Sequence, residues 1–183
     1  LAGTRIIPLV IKKDKLEAAS HICDDGPILA IKPFVGRKAA IITTGNEVYH
    51  GRIQDAFTPV IEKKIAELGA QMMVHEVFDD DDQKITDGCL RAIEAGAEIV
   101  FCTGGMSVDP DDKTPLAIKN TGARIVSYGS PVLPGAMFLL SYYDAGNRLV
   151  PICGLPGCAM YNKRTIFDIV LPRLMACDMI LAD

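Results

Sequence analysis

No apolar stretch of this 183-residue chain approaches the roughly 20 residues that span a bilayer, because charge or glycine interrupts every run, and no signal-peptide pattern opens it. The expected setting is cytoplasmic, with no membrane partner. Broad positive charge is missing too: the formal net charge is −4 and no Lys/Arg run interleaves with aromatics, so nucleic acid is not an expected partner. The six cysteines include no Cys-x-x-Cys pair and no histidine at ligand spacing, which argues against a zinc or disulfide framework. Cys89, Cys102 and Cys153 sit in apolar runs and read as small buried hydrophobes. Internal repeats and low-complexity tracts are absent as well, and Asp79-Asp80-Asp81-Asp82 is the one charge block. A first residue that is Leu1, running straight into a strand-like segment, leads us to expect a piece of a longer protein.

From Lys38 onward, short apolar runs alternate with amphipathic stretches, the pattern of βα units around a mostly parallel sheet covered on both faces. Strands are expected over 38–43, 71–78, 98–103, 124–128, 138–142 and 149–153. The spacing of Phe57, Val60, Ile61, Ile65 and Leu68 predicts a helix over 55–68, and further helices are expected over 82–95 and 115–120. A last helix should run from after Gly157 to about Met175, with Ile166, Phe167, Ile169, Val170 and Leu174 on its apolar side and Pro172 bending or capping it. Residues 1–35 look different: Ile6–Ile11 and Ile28–Ile31 are strand-like and Leu16–Ile22 helical, so we expect an interdomain segment or the remnant of an upstream domain. The domain proper then covers 36–176, with a tail over 177–183.

In open parallel sheets ligands bind beyond the carboxyl ends of the strands, where helix N-termini aim free N–H groups at anions. Three glycine turns fall at such ends: Thr43-Thr44-Gly45-Asn46-Glu47, Thr103-Gly104-Gly105-Met106-Ser107 and Gly154-Leu155-Pro156-Gly157. Together they could hold an oxyanion on bare amides and hydroxyls; individually, each could simply end a strand. The second turn continues into Asp109, Asp111 and Asp112, where magnesium could be chelated beside a phosphate, or where Asp111 or Asp112 could cap the next helix and Asp109-Pro110 make a turn. Asp79–Asp82 read first as a helix N-cap. Among the histidines, His50 could reach a ligand from the first loop, while His21 and His75 have no evident partner.

Thr44-Gly45-Asn46-Glu47, Thr103-Gly104-Gly105-Met106-Ser107, Pro134-Gly135 and Gly154-Leu155-Pro156-Gly157, in this order and spacing, resemble the molybdopterin-binding domain family, which includes MoaB, Mog, the third domain of MoeA and domains of gephyrin. The similarity covers about residues 36–176. It implies a three-layer α/β/α sandwich with a mostly parallel sheet, and a crevice for molybdopterin or its adenylylated form. The implied chemistry is adenylyl transfer from Mg-ATP or molybdate insertion. A non-catalytic carrier or sensor, and a nucleotide pyrophosphatase like the related CinA domain, are the other functions such a domain could serve. Dimers or trimers are implied as well.

The family's loop aspartate falls on Asp112, and Asp112-Lys113-Thr114-Pro115 looks like the MoaB and Mog version; a second family aspartate falls on Asp80 or Asp81. Glu47, Asp55 and Pro134-Gly135 look like the MoeA branch. There the chain departs. Ala56-Phe57, Ala136-Met137 and Cys158-Ala159 stand where MoeA-type proteins carry Ser-Asn, Lys-Pro and Asn-Pro. These changes remove donors for an anion, and Lys113, Lys163 and Arg164 are candidates for compensating charge or plain surface residues. Cys158, at an expected helix start, reads either as an activated thiol or as a small residue packing the turn.

Overall fold

A computed structural model describes residues 9–22 and 24–181. Cys23 and the first part of the strand-like run at residues 6–11 lie outside them. The chain divides into two units, residues 1–33 and 34–183. Within the first, helix α1 spans Lys13–His21 and buries none of its residues. The expected strand over Ile28–Ile31 does not form: Ile28 and Ile31 stay exposed, with no ladder partner to take their backbone groups.

The second unit carries β1 (Lys38–Thr44), α2 (Asn46–Tyr49), α3 (Phe57–Ala66), β2 (Gln71–Phe78), α4 (Asp82–Glu94), β3 (Ile99–Thr103), α5 (Thr114–Asn120), β4 (Arg124–Tyr128), β5 (Leu139–Asp144), β6 (Leu149–Leu155), α6 (Cys158–Tyr161) and α7 (Ile166–Met175). One six-stranded sheet has the order β2-β1-β3-β6-β5-β4. Its first four strands pair in parallel, and β5 runs against both of its neighbours.

Central strands β1 and β3 are buried on both faces, which is why they read as continuous apolar runs. Successive side chains divide between two cores. Ile41 and Phe101 face Ile61 and Ile65 of α3 and Phe167, Leu171 and Leu174 of α7. Ile42 and Val100 face Ile85 and Cys89 of α4 and Ile118 of α5. The layers are thus α3 and α7, the sheet, and α4 with α5. Phe101 and Phe167 meet edge to face at 5.4 Å between ring centroids, a geometry that aligns ring edge with ring face.

Two expectations about helices need correction. The four-residue α2 was missed because it is too short to show a period. The final helix is two helices, α6 and α7. Thr165 starts the second with a capping box: its Oγ1 accepts from Phe167 N at 3.2 Å while its own N–H donates to Asp168 Oδ2 at 2.8 Å. Pro172 stands inside α7. Ile169, placed on the apolar side from the sequence, is 61% exposed, and Leu171 is buried instead, because the helix restarts at Ile166.

Candidate functional site

The turns that follow β1 and β3 lock into each other. Thr44 Oγ1 lies 3.1 Å from Thr114 Oγ1, which donates to Gly104 O at 2.8 Å. Gly104 takes φ +84°, and a Cβ there would fall 2.1 Å from Thr44 O, so only glycine lets the two strand ends approach. Beyond the interlock opens a cavity of about 680 Å³ walled by the β1 turn, the start of α3, the β3 loop and α6. Its wall is acidic: Glu47, Asp55, Asp80, Asp111 and Asp112 face it against one cation, Lys113.

These carboxylates are held differently. Asp55 is fully engaged. Its Oδ1 accepts from Phe57 N at 2.8 Å and Thr58 N at 3.1 Å, while its Oδ2 accepts from Thr58 Oγ1 at 2.6 Å and Thr43 Oγ1 at 3.0 Å. Burial pushes the Asp55 carboxyl up, but the bonds from the Thr58 hydroxyl and N–H, the Thr43 hydroxyl and Phe57 N–H together hold it below its ordinary value. Asp55 Oδ2 also lies 3.2 Å from His75 Nε2, which reaches Thr58 Oγ1 at 3.0 Å and Thr43 Oγ1 at 3.2 Å. His75 therefore has partners that its sequence surroundings do not reveal, supplied by a strand 32 residues from Thr43.

Asp112 closes its own loop, accepting from Ser107 Oγ at 2.8 Å and from Ser107 N. Neither Asp111 nor Asp112 caps α5, which starts after Lys113 with no side-chain cap. Asp109 makes the turn: its Oδ1 accepts from Asp111 N at 2.9 Å and its carbonyl from Asp112 N at 3.1 Å. Burial, and then the Asp112 charge, push the nearby Tyr128 hydroxyl up.

Residues 40–176 match the family described as "Probable molybdopterin binding domain". The chain belongs to that family.

Its relatives include a CinA-like protein from Mycobacterium avium, 31% identical over 80 residues, which cover 44% of this chain and 18% of that protein. The molybdopterin molybdenumtransferase of Synechococcus elongatus is 23% identical over 183 residues, 96% of this chain and 43% of the enzyme. The chain thus spans less than half the length of the curated relatives it matches. Among solved structures, the tungsten cofactor synthesizing protein MoaB from Pyrococcus furiosus superposes with a TM-score of 0.58 at 20% identity, over 82% of this chain and all of that one. At that identity the likeness concerns the fold.

In this molybdopterin-binding domain, Thr44, Gly45, Glu47, Asp55, Asp80, Gly105 and Asp112 line the cavity. Thr103, Gly104 and Thr114 sit behind that wall and shape it. The run of four aspartates also divides: Asp80 faces the cavity and accepts from Asn46 N at 3.2 Å, whereas Asp81 caps α4 by accepting from Gln83 N at 3.0 Å and Lys84 N at 3.1 Å. The other two motifs are not among the lining. Gly154 lies under Met106, and Gly135 under Ile166 at the start of α7; a Cβ on either would meet those side chains. Leu155 and Pro156 are buried. The third expected glycine turn enters the wall only through α6, whose Met160 and Tyr161 line the cavity although the sequence reading passed over both. Cys158 is the half-buried first residue of that short helix. His50 turns back on its own backbone, Nδ1 lying 2.8 Å from Asn46 O.

Proposed function

We propose that the cavity beyond β1 and β3 holds molybdopterin or its adenylylated form, and that the chain serves assembly of the molybdenum cofactor. One observation carries the reading: the interlock of Thr44, Gly104 and Thr114 fixes the turns after β1 and β3 together, so that Thr44, Gly45 and Gly105 share one wall of a cavity sized for a small organic ligand. Family membership supplies the ligand class.

A phosphate entering among carboxylates needs a counter-charge, and magnesium is the ion these hard oxygens suit. Asp112, with Asp109 beside it, would supply one or two ligands and leave phosphate oxygens and waters to complete the shell. No three His, Cys, Asp or Glu side chains among the described residues are arranged to hold an ion by themselves. ATP would enter as adenylyl donor, its Mg-bound phosphates on the same loop. Against turnover stand Ala56 and Phe57, which line the cavity where the resemblance to MoeA calls for polar contacts. We therefore infer that holding the pterin is the primary role, with nucleotidyl transfer or molybdate insertion as the step to be tested. Self-association as a dimer or trimer and a cytoplasmic setting belong to the same reading; among the described residues, no helix is long and apolar enough to cross a membrane.

The test is a calorimetric titration of molybdopterin into wild-type and Asp112→Asn protein, with and without Mg-ATP, followed by assay of adenylylated product. We expect binding that weakens roughly tenfold in the variant when magnesium is present, the size of one charge-assisted contact. Absence of heat with the wild type rejects the reading, whereas product would make the chain an enzyme. The CinA-like relative favours a second reading, pyrophosphate hydrolysis. Magnesium-dependent cleavage of ADP-ribose is its signature.

A further inference from the structure

A second cavity, of about 730 Å³, lies between α3 and the segment from α6 to α7, and it shares Met160 and Tyr161 with the first. Its charge is of opposite sign. Lys63, Lys64, Lys163 and Arg164 line it against two carboxylates, Glu67 and Asp168. Lys64 is committed to Asp168 at 2.7 Å, a half-buried pair that anchors α3 to α7. Lys63, Lys163 and Arg164 have no hydrogen-bond or ion-pair partner among the described residues. Three free cations thus surround one groove in a chain of net charge −4, while the cavity next door concentrates carboxylates. Such a segregation directs an approaching anion to one side of the shared wall.

The floor is apolar, formed by Val60, Leu68, Leu171 and Pro172. Tyr161, which stands between the two cavities, is 81% exposed, with its ring face open to a ligand. Guanidinium and ammonium groups above an apolar floor recognise a compact multivalent anion better than a neutral solute, because each offers several N–H donors to its oxygens.

We infer that this groove is an anion site for a phosphate group, separate from the acidic cavity, with Lys63, Lys163 and Arg164 as its binding residues. The phosphate comes either as the free ion or as an ester whose organic part lies across Tyr161 into the acidic cavity. The inference does not rest on pterin binding, since phosphate alone probes the groove.

Amide shifts of the full 15N-labelled chain would be followed as inorganic phosphate replaces chloride at constant ionic strength. Saturable shifts are expected at residues 63, 161, 163 and 164, with an affinity at least about tenfold weaker in the Lys163→Glu/Arg164→Glu double variant. Lys119→Glu/Arg124→Glu, carrying the same charge change elsewhere on the surface, should bind as the wild type does. Adenosine 5′-monophosphate distinguishes the sources. An ester site binds it more tightly than phosphate and also shifts residues 47 and 57; a free-ion site binds it no better. Shifts that never saturate with either probe, shifts confined to the acidic cavity, or equal affinity in the Lys163/Arg164 variant overturn the inference.

Discussion

Gly104 and Gly154 both belong to glycine motifs at the ends of central strands, yet they are glycine for different reasons. Gly104 holds a left-handed backbone against Thr44 O, so its lack of a side chain brings two loops together behind the cavity wall. Gly154 has ordinary backbone and makes room for Met106, a flexible side chain in the α4 and α5 layer. One glycine shapes the site, and the other makes room for core packing. A motif that looks uniform in one dimension therefore mixes two functions, which substitution can separate.

The sharpest break should come from Gly104→Ala. Both the positive φ and the clash with backbone oppose it, so we expect a loss of about 3 kcal/mol or more in a urea titration, together with loss of ligand affinity. Next comes Asp55→Ala, which leaves Phe57 N and Thr58 N without their acceptor and should cost about 2 kcal/mol near neutral pH. Because the folded Asp55 carboxyl titrates below its usual 3.8, its contribution is fully present above that value and lost as pH falls through the lower, folded one. The wild-type and Asp55→Asn stability curves should accordingly converge in acid; a gap of constant size would count against the network.

Gly154→Ala should be milder, about 1–2 kcal/mol, since the end of Met106 can move, and it should spare ligand affinity. If it abolished binding with little loss of stability, the contrast with Gly104 would fail. Smallest are the two aspartates that the sequence left in open register. Asp81→Ala should remove the α4 cap for about 1 kcal/mol without touching affinity, whereas Asp80→Asn should do the reverse in a binding titration.

Much of this was legible beforehand. The β1 and β3 runs were readable because burial on both faces leaves no polar alternation, and the α4 period because its buried Ile85, Cys89 and Ile93 recur at helical spacing. Even the break before α7 had a signal in Thr165-x-x-Asp168, a capping-box pattern outweighed by the apolar run after it. By contrast, the partners of His75 and the open face of Tyr161 had no local signature. Each depends on segments far apart in the chain.

The alternation of apolar runs and amphipathic helices was enough to dictate a mostly parallel sheet with helices on both faces, because burying those runs requires two covering layers. Which glycines and carboxylates reach the cavity was decided only by the pairing of β1 with β2 and β3. Strand register and loop packing set where each side chain points, and a single residue's offset exchanges one face of the sheet for the other.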